Sequence, residues 1–363
     1  MNSHPTARTL RRAGTALGTA ALLTAALPAG TAAAGPHPAP ARTAVAVTDL
    51  GTLPGGTTSR AYSVNNNNVT VGYSTNAQGT TRPVRWSAAG TISDLGTLPG
   101  DTGGTAFNLN SHGVAVGRST AADNSEHAVL WRPGRRTPFP LQTLPGSTKS
   151  RAYGVNNLNV SVGFSATPDN VYKAMRWTPG GQATHLPPLP GATASAAAKI
   201  NNLGTAVGYS QQGSAQRAVR WTPAGTPVAL AGGPLPGDDS TQASWINDHG
   251  VVVGNSYRAG AGYDGPFHAL RWTPGNAAVP LQPLPGDTGT AVYGINNQGV
   301  AVGFSYTPGG VYSAVSWNAA GTVTNLAATI PGACEAYLIS DNGSAVGYLT
   351  TPQGNVHAAR WQS

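Results

Sequence analysis

The sequence contains few of the residues on which disulfide-rich secreted domains and many hydrolases depend. Cys334 is the only cysteine among 363 residues, so the chain cannot form an intrachain disulfide. Only two glutamates are present, Glu126 and Glu335, which disfavours the paired glutamates common in glycosidases. Charged residues make up 9% of the chain, and no stretch after the first 34 residues shows a sustained helical period. The stability of the chain must therefore come from packed β-structure.

The first 34 residues have the three parts of a secretory signal peptide. Three arginines within residues 8–12 precede an apolar stretch over residues 16–27, and three alanines end at residue 34. We expect residues 1–34 to be removed and residues 35–42, GPHPAPAR, to form a short linker. Loss of three arginines and no acid lowers the formal charge from +8 to +5. The sequence thus predicts a secreted monomer, with no membrane anchor and no nucleic-acid partner.

Three marks recur in register through the rest of the chain, with prolines 45 to 49 residues apart. The first is Leu-Pro-Gly or Ile-Pro-Gly, with its proline at Pro54, Pro99, Pro145, Pro190, Pro236, Pro285 and Pro331. The second is Val-Gly, with its glycine at Gly72, Gly117, Gly163, Gly208, Gly254, Gly303 and Gly347. The third is a tryptophan that closes each unit, at Trp86, Trp131, Trp177, Trp221, Trp272, Trp317 and Trp361. Residues 43–363 therefore contain seven repeats.

Each repeat contains four short segments that resemble β-strands. In the sixth repeat they are residues 290–296, 299–305, 311–317 and 322–330, which are rich in β-branched and aromatic residues. The first two are joined by a tight turn whose last residue is always glycine or asparagine, which enter the left-handed region at low cost. These residues are Asn68, Gly113, Asn159, Gly204, Gly250, Gly299 and Gly343.

Four antiparallel strands in each unit of about 46 residues predict an all-β fold, a seven-bladed β-propeller of four-stranded antiparallel blades. A β-solenoid is the competing architecture, but tight hairpins favour the propeller. A small residue recurs in the first strand, where inner strands converge: Ala61, Ala106, Ala152, Ala197, Ala243, Val292 and Ala336. The last repeat lacks a fourth strand, and residues 45–53 match the missing segment. We therefore expect the N-terminal strand to pair beside residues 356–361 and close the ring.

The repeat resembles a known family through the motif DLGTLPG at residues 94–100 and three His-Ala motifs, at residues 127–129, 268–270 and 357–359. This pattern is similar to the HAF repeat, an extracellular repeat of bacterial secreted proteins. The resemblance extends from about residue 45 to the end of the chain. It implies secretion and a repeat architecture, and it implies no particular activity.

Residues present in every repeat are predicted to be structural, because a fold needs seven copies and a site needs one. The tryptophans are predicted to pack between blades, and the arginines before five of them to remain solvated or stack on a neighbour. A binding site is expected in loops that differ between repeats and open on one face. The candidate ligand-binding residues are Asp101, Tyr172, Asp238, Asp239, Tyr257, Tyr263, Asp264, Asp287 and Tyr312.

No catalytic constellation is evident in the sequence. Histidines are scattered among separate repeats without metal-ligand spacing, no Gly-x-Ser-x-Gly motif occurs, and Cys334 occupies a position that is Ser or Thr in most repeats. We therefore expect no cofactor and no metal. The sequence favours a binding or scaffold module for an extracellular polysaccharide, a cell-wall polymer or a protein. The alternative is an extracellular hydrolase or lyase, acting on a glycan or lactone through aspartates at the axial mouth.

Overall fold

The computed structural model describes residues 45–260, 267–327, 330 and 332–362. The predicted signal peptide and linker lie outside these residues. The described chain forms strands joined by turns and short connections, and these strands make up seven four-stranded sheets. No helix long and apolar enough to cross a membrane occurs in this part of the chain.

The strands follow one another in sets of four after an initial strand, β1 (Ala46–Asp49). Blade 1 has β2 (Ser59–Val64), β3 (Thr70–Thr75), β4 (Thr81–Trp86) and β5 (Ile92–Asp94), and blade 2 has β6 (Gly103–Leu109), β7 (Ala115–Thr120), β8 (Glu126–Trp131) and β9 (Phe139–Pro140). Blade 3 has β10 (Ser150–Val155), β11 (Ser161–Ala166), β12 (Tyr172–Trp177) and β13 (Ala183–His185), and blade 4 has β14 (Ala194–Ile200), β15 (Ala206–Gln212), β16 (Ala215–Trp221) and β17 (Pro227–Ala229). Blade 5 has β18 (Ser240–Ile246), β19 (Val252–Tyr257), β20 (Phe267–Trp272) and β21 (Ala278–Pro280), and blade 6 has β22 (Gly289–Ile295), β23 (Ala301–Tyr306), β24 (Tyr312–Trp317) and β25 (Val323–Asn325). Blade 7 has β26 (Cys334–Ile339), β27 (Ala345–Thr350) and β28 (Val356–Gln362).

The seven sheets form a closed β-propeller, as the repeat predicts. Each innermost strand contacts the innermost strands of the two neighbouring blades, and β26 contacts both β22 and β2. The fourth strand of blade 7 is β1, which pairs antiparallel with β28. In this pairing Ala46 lies opposite Gln362 and Asp49 lies opposite Ala359. The predicted closure by the N-terminal strand is confirmed.

Small residues allow the inner strands to approach one another. The column of Ala61 and its equivalents is fully buried in all seven blades, and a β-bulge follows it in each. The glycine of each Val-Gly mark lies directly opposite this position. A Cβ atom on Gly72 would lie 1.9 Å from the carbonyl oxygen of Arg60, so only glycine fits there. The small residues of the inner strand and the glycine of the Val-Gly mark therefore recur for steric reasons.

The first hairpin of each blade has the predicted turn chemistry. Asn65 N–H donates to Val69 O over 3.0 Å, and Asn68 N–H donates to Asn65 O over 2.9 Å, which encloses a three-residue loop. Asn68 has φ of 57°, and the residues at the same position in the other blades also have positive φ. The left-handed conformation therefore explains why only glycine or asparagine closes this turn.

Each tryptophan of the repeat packs between two blades. Around Trp221, for example, Val162 and Ala174 of blade 3 meet Ala197 and Val219 of blade 4. The indole N–H of the tryptophan in blades 1 to 6 also donates to a backbone carbonyl of the connection that enters its own blade, over 2.6–3.0 Å. The predicted role of these side chains in packing between blades is confirmed.

The arginine before the tryptophan is neither freely solvated nor stacked on a neighbour, and that prediction is wrong. Arg271 of blade 5 donates to the carbonyl oxygens of Gly299, Asn318 and Ala319, all in turns of blade 6. Equivalent bonds are formed by Arg85, Arg176, Arg220 and Arg360. A guanidinium group satisfies several turn carbonyls at once, so this residue links each such blade to the next.

Asparagine side chains form a second connection between blades on the same face. The first asparagine of each turn donates its amide N–H to the carbonyl oxygen of the equivalent residue in the next blade, over 2.9–3.2 Å. The donors are Asn65, Asn110, Asn156, Asn201, Asn247 and Asn296. Blade 7 has Ser340 at this position, and there Asn342 donates to Asn66 O of blade 1 over 3.0 Å. The ladder therefore continues around the ring.

The outermost strands are shorter than the sequence predicts. In blade 6, only the three residues of β25 form a strand among the described residues of the segment 322–330. The outer strand has a pairing partner on one side only. In blade 5, Leu281 follows the outer strand β21 and turns inward, with 4% exposure. The hydrophobic residue after this strand thus belongs to the connection to the next blade.

A disulfide across the closing pair tests the ring directly. Cα atoms opposite each other in an antiparallel pair lie about 4.5–5.5 Å apart, which a disulfide can span. The double variant Ala46→Cys and Gln362→Cys should form an intrachain disulfide that raises the thermal midpoint, with a stabilisation of about 2–4 kcal/mol. The single variants serve as controls, since Cys334 is fully buried. Failure of the double variant to crosslink within one chain would contradict the closure.

The variant Arg271→Met tests the arginine link between blades 5 and 6. This variant removes the three hydrogen bonds that the charged guanidinium group donates to the carbonyl oxygens of Gly299, Asn318 and Ala319. The free energy of unfolding should therefore fall by about 1.5–3 kcal/mol. Denaturant unfolding measures this difference. The matched variant Arg135→Met, in an exposed turn, should lie within about 0.5 kcal/mol of the wild type. Equal stability of both variants would mean that the bonds of Arg271 contribute nothing.

Candidate functional site

The two faces of the propeller differ in what they carry. One face, here called the turn face, carries the first hairpin of every blade. The opposite face, here called the loop face, carries the connection between blades and the loop between the second and third strands. The candidate residues that the structure describes lie in these connections or at the strand ends beside them, on the loop face.

Four aromatic residues form a half-buried surface on the loop face of blades 5 and 6, here called the blade 5–6 surface: Tyr257, Phe267, Tyr306 and Tyr312. The ring centroids of Tyr257 and Phe267 are 5.7 Å apart, and those of Tyr306 and Tyr312 are 5.9 Å apart. Phe267 N–H donates to the hydroxyl oxygen of Tyr306 over 3.1 Å, which joins the two pairs across the blade boundary. Two predicted residues, Tyr257 and Tyr312, thus belong to one continuous surface.

Two carboxylates adjoin these rings. Burial raises the pKa of Tyr306, and the charge of Asp238 raises it further. The pKa of Tyr257 is also raised, first by burial and then by Asp239. Asp239 accepts from Ala259 N–H over 2.7 Å, and this bond is the main reason that the pKa of Asp239 is lowered. Both carboxylates therefore adjoin the aromatic surface, but only Asp239 is exposed, because the Asp238 side chain is 2% exposed.

A third predicted carboxylate lies at the start of blade 6. Asp287 accepts from the Ser305 hydroxyl over 2.5 Å, and Thr288 N–H donates to Tyr306 O over 2.9 Å. This pairing places Asp287 next to the strand end that carries Tyr306. Five of the nine candidates therefore lie in the blade 5–6 surface or beside it: Asp238, Asp239, Tyr257, Asp287 and Tyr312.

The other candidates lie elsewhere. Asp101 is on blade 2, where its carboxylate contacts His127 Nδ1 at 3.2 Å. Tyr172 is on blade 3, 8% exposed, with its ring stacked 4.3 Å from that of Phe164. Tyr263 and Asp264 fall outside the described residues. The structure therefore does not bring Asp101 or Tyr172 to the blade 5–6 surface.

Sequence reasoning did not select Phe267 and Tyr306, although they lie directly opposite Tyr257 and Tyr312 in their strand pairs. One signal in the sequence was available for Tyr306. A Cβ atom on Gly289 would lie 2.1 Å from the hydroxyl oxygen of Tyr306, so the glycine at this strand position provides the space that the tyrosine occupies.

The histidines of the His-Ala motifs hold aspartates in place. His127, His268 and His357 each place Nδ1 2.8–3.2 Å from a carboxylate oxygen, that of Asp101, Asp238 and Asp49, respectively. Asp238 also accepts from the Ser256 hydroxyl over 2.6 Å. Each of these aspartates therefore contacts a histidine of one blade. Asp49 belongs to blade 7, and Asp101 and Asp238 lie in the connections that enter blades 2 and 5. In the part of the chain that the structure describes, no group of three His, Cys, Asp or Glu side chains is placed to hold a metal ion.

No protein-family model matches the chain, and no curated protein matches it. Several solved structures are similar to it. A streptogramin B lyase is 12% identical, with 88% of this chain and 98% of that chain covered at a TM-score of 0.52. A virginiamycin B lyase from Staphylococcus aureus is 11% identical, with 88% and 99% covered at 0.51, and a puromycin hydrolase is 15% identical, with 82% and 50% covered at 0.54. At these identities the similarity shows the fold alone.

Near the axis, aromatic rings fill the space between the inner strands. Five rings from consecutive blades contact one another at centroid distances of 5.1–5.9 Å: Tyr293, Tyr337, Tyr62, Phe107 and Tyr153. They belong to the bulge that follows the small-residue column. Blades 4 and 5 have Ala198 and Ser244 at the same position. The ring of aromatic residues is therefore interrupted on one side of the axis.

A buried acid lies within this aromatic core. Glu335 is 8% exposed and accepts from the Tyr348 hydroxyl over 3.0 Å, while its Oε2 has no partner among the described residues. The guanidinium group of Arg60 lies 4.2 Å from the ring centroid of Tyr348 and donates to Tyr337. Burial raises the pKa of Glu335 above its ordinary value, although Arg60 opposes this shift.

The raised pKa of Glu335 predicts a pH-dependent stability. In the pH range above its ordinary pKa of 4.5, the folded state binds the Glu335 proton more tightly than the unfolded state does. Stability should therefore fall as the pH rises through the raised pKa. Relative to Glu335→Gln, the wild type should lose stability as the pH rises above 4.5 in denaturant unfolding. A constant difference as the pH rises above 4.5 would contradict a raised pKa of Glu335.

Proposed function

We propose that the chain is an extracellular binding module, and that it engages a polysaccharide of the cell wall or matrix through the blade 5–6 surface. The observation that carries this proposal is the juxtaposition of four half-buried aromatic rings with the exposed carboxylate of Asp239. Aromatic rings provide flat, amphipathic contact area at low entropic cost, and carboxylates accept hydrogen bonds from sugar hydroxyl groups.

Secretion is part of this proposal and is supported by the sequence of residues 1–34. The assignment of the repeats to the HAF family is also part of it, supported by the His-Ala motifs that begin at His127, His268 and His357. The excess of positive charge outside residues 1–34 would add a weak, salt-dependent attraction to anionic wall polymers.

The alternative, a hydrolase or lyase with aspartates at the axial mouth, receives less support from the described residues. Asp101 and Asp238 are held by histidines of separate blades, and the axial core on the loop side is aromatic. The similarity to lyases and a hydrolase concerns the fold.

Sedimentation with insoluble polysaccharides tests the proposal. Wild-type protein should co-sediment with at least one of cellulose, chitin and purified cell-wall sacculi, and Tyr257→Ala and Tyr312→Ala should each weaken retention about tenfold, because each removes a contact ring. The control variant is Leu158→Ser, which alters a residue that is 66% exposed on the turn face. It should bind like the wild type.

Two outcomes count against the proposal. Absence of wild-type binding to all three materials would reject the polysaccharide as ligand. Unchanged retention of both tyrosine variants, with circular dichroism showing that they are folded, would reject the blade 5–6 surface as the binding site.

A further inference from the structure

The turn face has a funnel on the propeller axis, with a volume of about 160 Å³. Its walls are the ends of the inner strands. Its rim is formed by the second residue of the first hairpin turn in each of the seven blades. These rim residues are Asn66, Ser111, Asn157, Asn202, Asp248, Asn297 and Asp341. The funnel opens on the face opposite to the blade 5–6 surface, so it is a separate feature of the molecule.

The rim is held in place by bonds between neighbouring blades. Asn157 N–H donates to Asn202 Oδ1 over 2.8 Å, and Asn202 N–H donates to Asp248 Oδ1 over 2.8 Å. Asp341 N–H donates to Asn66 Oδ1 over 2.8 Å at the junction of blades 7 and 1. A rim whose side chains are already ordered loses little entropy when a ligand binds.

Two residues at the wall of the funnel occupy a position at which the blades differ from one another. The position after the bulge carries Ser63, Asn108, Gly154, Lys199, Trp245, Gly294 and Leu338 in the seven blades. Trp245 is the one tryptophan of eight that lies outside the recurrent column, and Lys199 is one of three lysines in the chain. Both line the funnel. Since no residue type is common to all blades at this position, the packing of the repeat requires neither lysine nor tryptophan there.

Lys199 and Trp245 contact each other. Lys199 Nζ lies 4.3 Å from the ring centroid of Trp245 and donates to Tyr153 O over 2.5 Å. Lys199 is 9% exposed, and no ion pair joins it to a described carboxylate; Asp248 and Asp341 lie at the rim. Burial lowers the pKa of Lys199 well below its ordinary value, while the indole face favours the charged form. A neutral amine can keep its bond to Tyr153 O and still present a lone pair.

We propose that the axial funnel binds a small carbonyl compound, which Lys199 captures reversibly as an imine. The nitrogen lone pair of the neutral amine forms a bond to the carbonyl carbon, and the carbonyl oxygen leaves as water with both protons of the amine. No oxidant or reductant is required. The funnel is smaller than pockets that hold drug-sized ligands, so the ligand has few heavy atoms. Trp245 would pack against its carbon atoms, and the rim amides would bond its polar groups. This inference does not depend on the proposed polysaccharide surface.

Reductive alkylation of the full-length chain tests this site. Wild-type protein is treated with propanal and cyanoborohydride at pH 7 for a short time, and the three lysines are compared by peptide mass spectrometry. An exposed lysine of ordinary pKa is neutral in roughly one molecule in 2,500 at this pH. Lys199 should therefore react at least about tenfold faster than the half-exposed Lys149 and Lys173.

The controls separate the funnel from general lysine reactivity. The α-amino group also reacts quickly at pH 7, so the readout is the peptide that contains each lysine. The variant Lys173→Arg should keep the fast modification at Lys199, and Lys199→Arg should leave no fast-reacting lysine peptide. In urea the three lysines should react at similar rates. A rate at Lys199 equal to or below those of Lys149 and Lys173 in the folded chain would overturn the proposal, and so would selectivity that persists after unfolding.

Discussion

The rest of the structure depends on the pairing of β1 with β28. Each blade buries both of its faces, because its tryptophan and inner-strand alanine pack against the blade before it and the valine of its Val-Gly mark packs against the blade after it. An open row of blades would leave one apolar face exposed at each end. The pairing makes blade 7 a neighbour of blade 1, and Arg360 then donates to Asn68 O and Ala88 O as the other arginines do in their own pairs. Each such bond contributes about 1 kcal/mol, so the ring gains from many small terms.

The sevenfold pattern separates structural residues from candidate functional ones. The arginines and asparagines that recur form bonds between blades, and the tryptophans pack between blades, so these residues are occupied in holding the ring together. The departures from the pattern fall in two places. On the loop face they are the rings of Tyr257 and Tyr312 with their carboxylates, and on the turn face they are Lys199 and Trp245.

Much of the fold could be predicted from the sequence, because the features that determine it repeat. Asn68 and its equivalents indicated a left-handed turn, and residues 45–53 indicated the strand missing from the last blade; both were confirmed. The role of Arg271 was mispredicted, because its carbonyl partners lie 28 to 48 residues away and a carbonyl leaves no mark in the sequence. The outer strands were predicted too long, because hydrophobic residues after them serve the connections.

The candidate sites were harder to predict, for a physical reason. Tyr257 and Tyr312 were found because they begin or end loops that vary between repeats. Phe267 and Tyr306 flank the same two loops opposite them, and only the meeting of blades 5 and 6 shows that the four rings form one surface. Lys199 lies within a buried inner strand, and its proximity to Trp245 results from the ring arrangement. A site shared by two blades combines residues about one repeat apart, which no local motif records.

The two faces also differ in how firmly they are held, and this bears on what each can bind. On the turn face the asparagine ladder and the arginine bonds connect successive blades through short, regular turns. Such a surface is preorganised and suits a small ligand held in one geometry. The loop face joins its blades mainly through longer connections that differ from one repeat to the next, and its aromatic rings lie half-buried beside them. A broad surface of this kind suits a polymer, which makes many weak contacts and needs no enclosed cavity. The same closed ring therefore supports a small funnel at one end and a broad contact surface at the other.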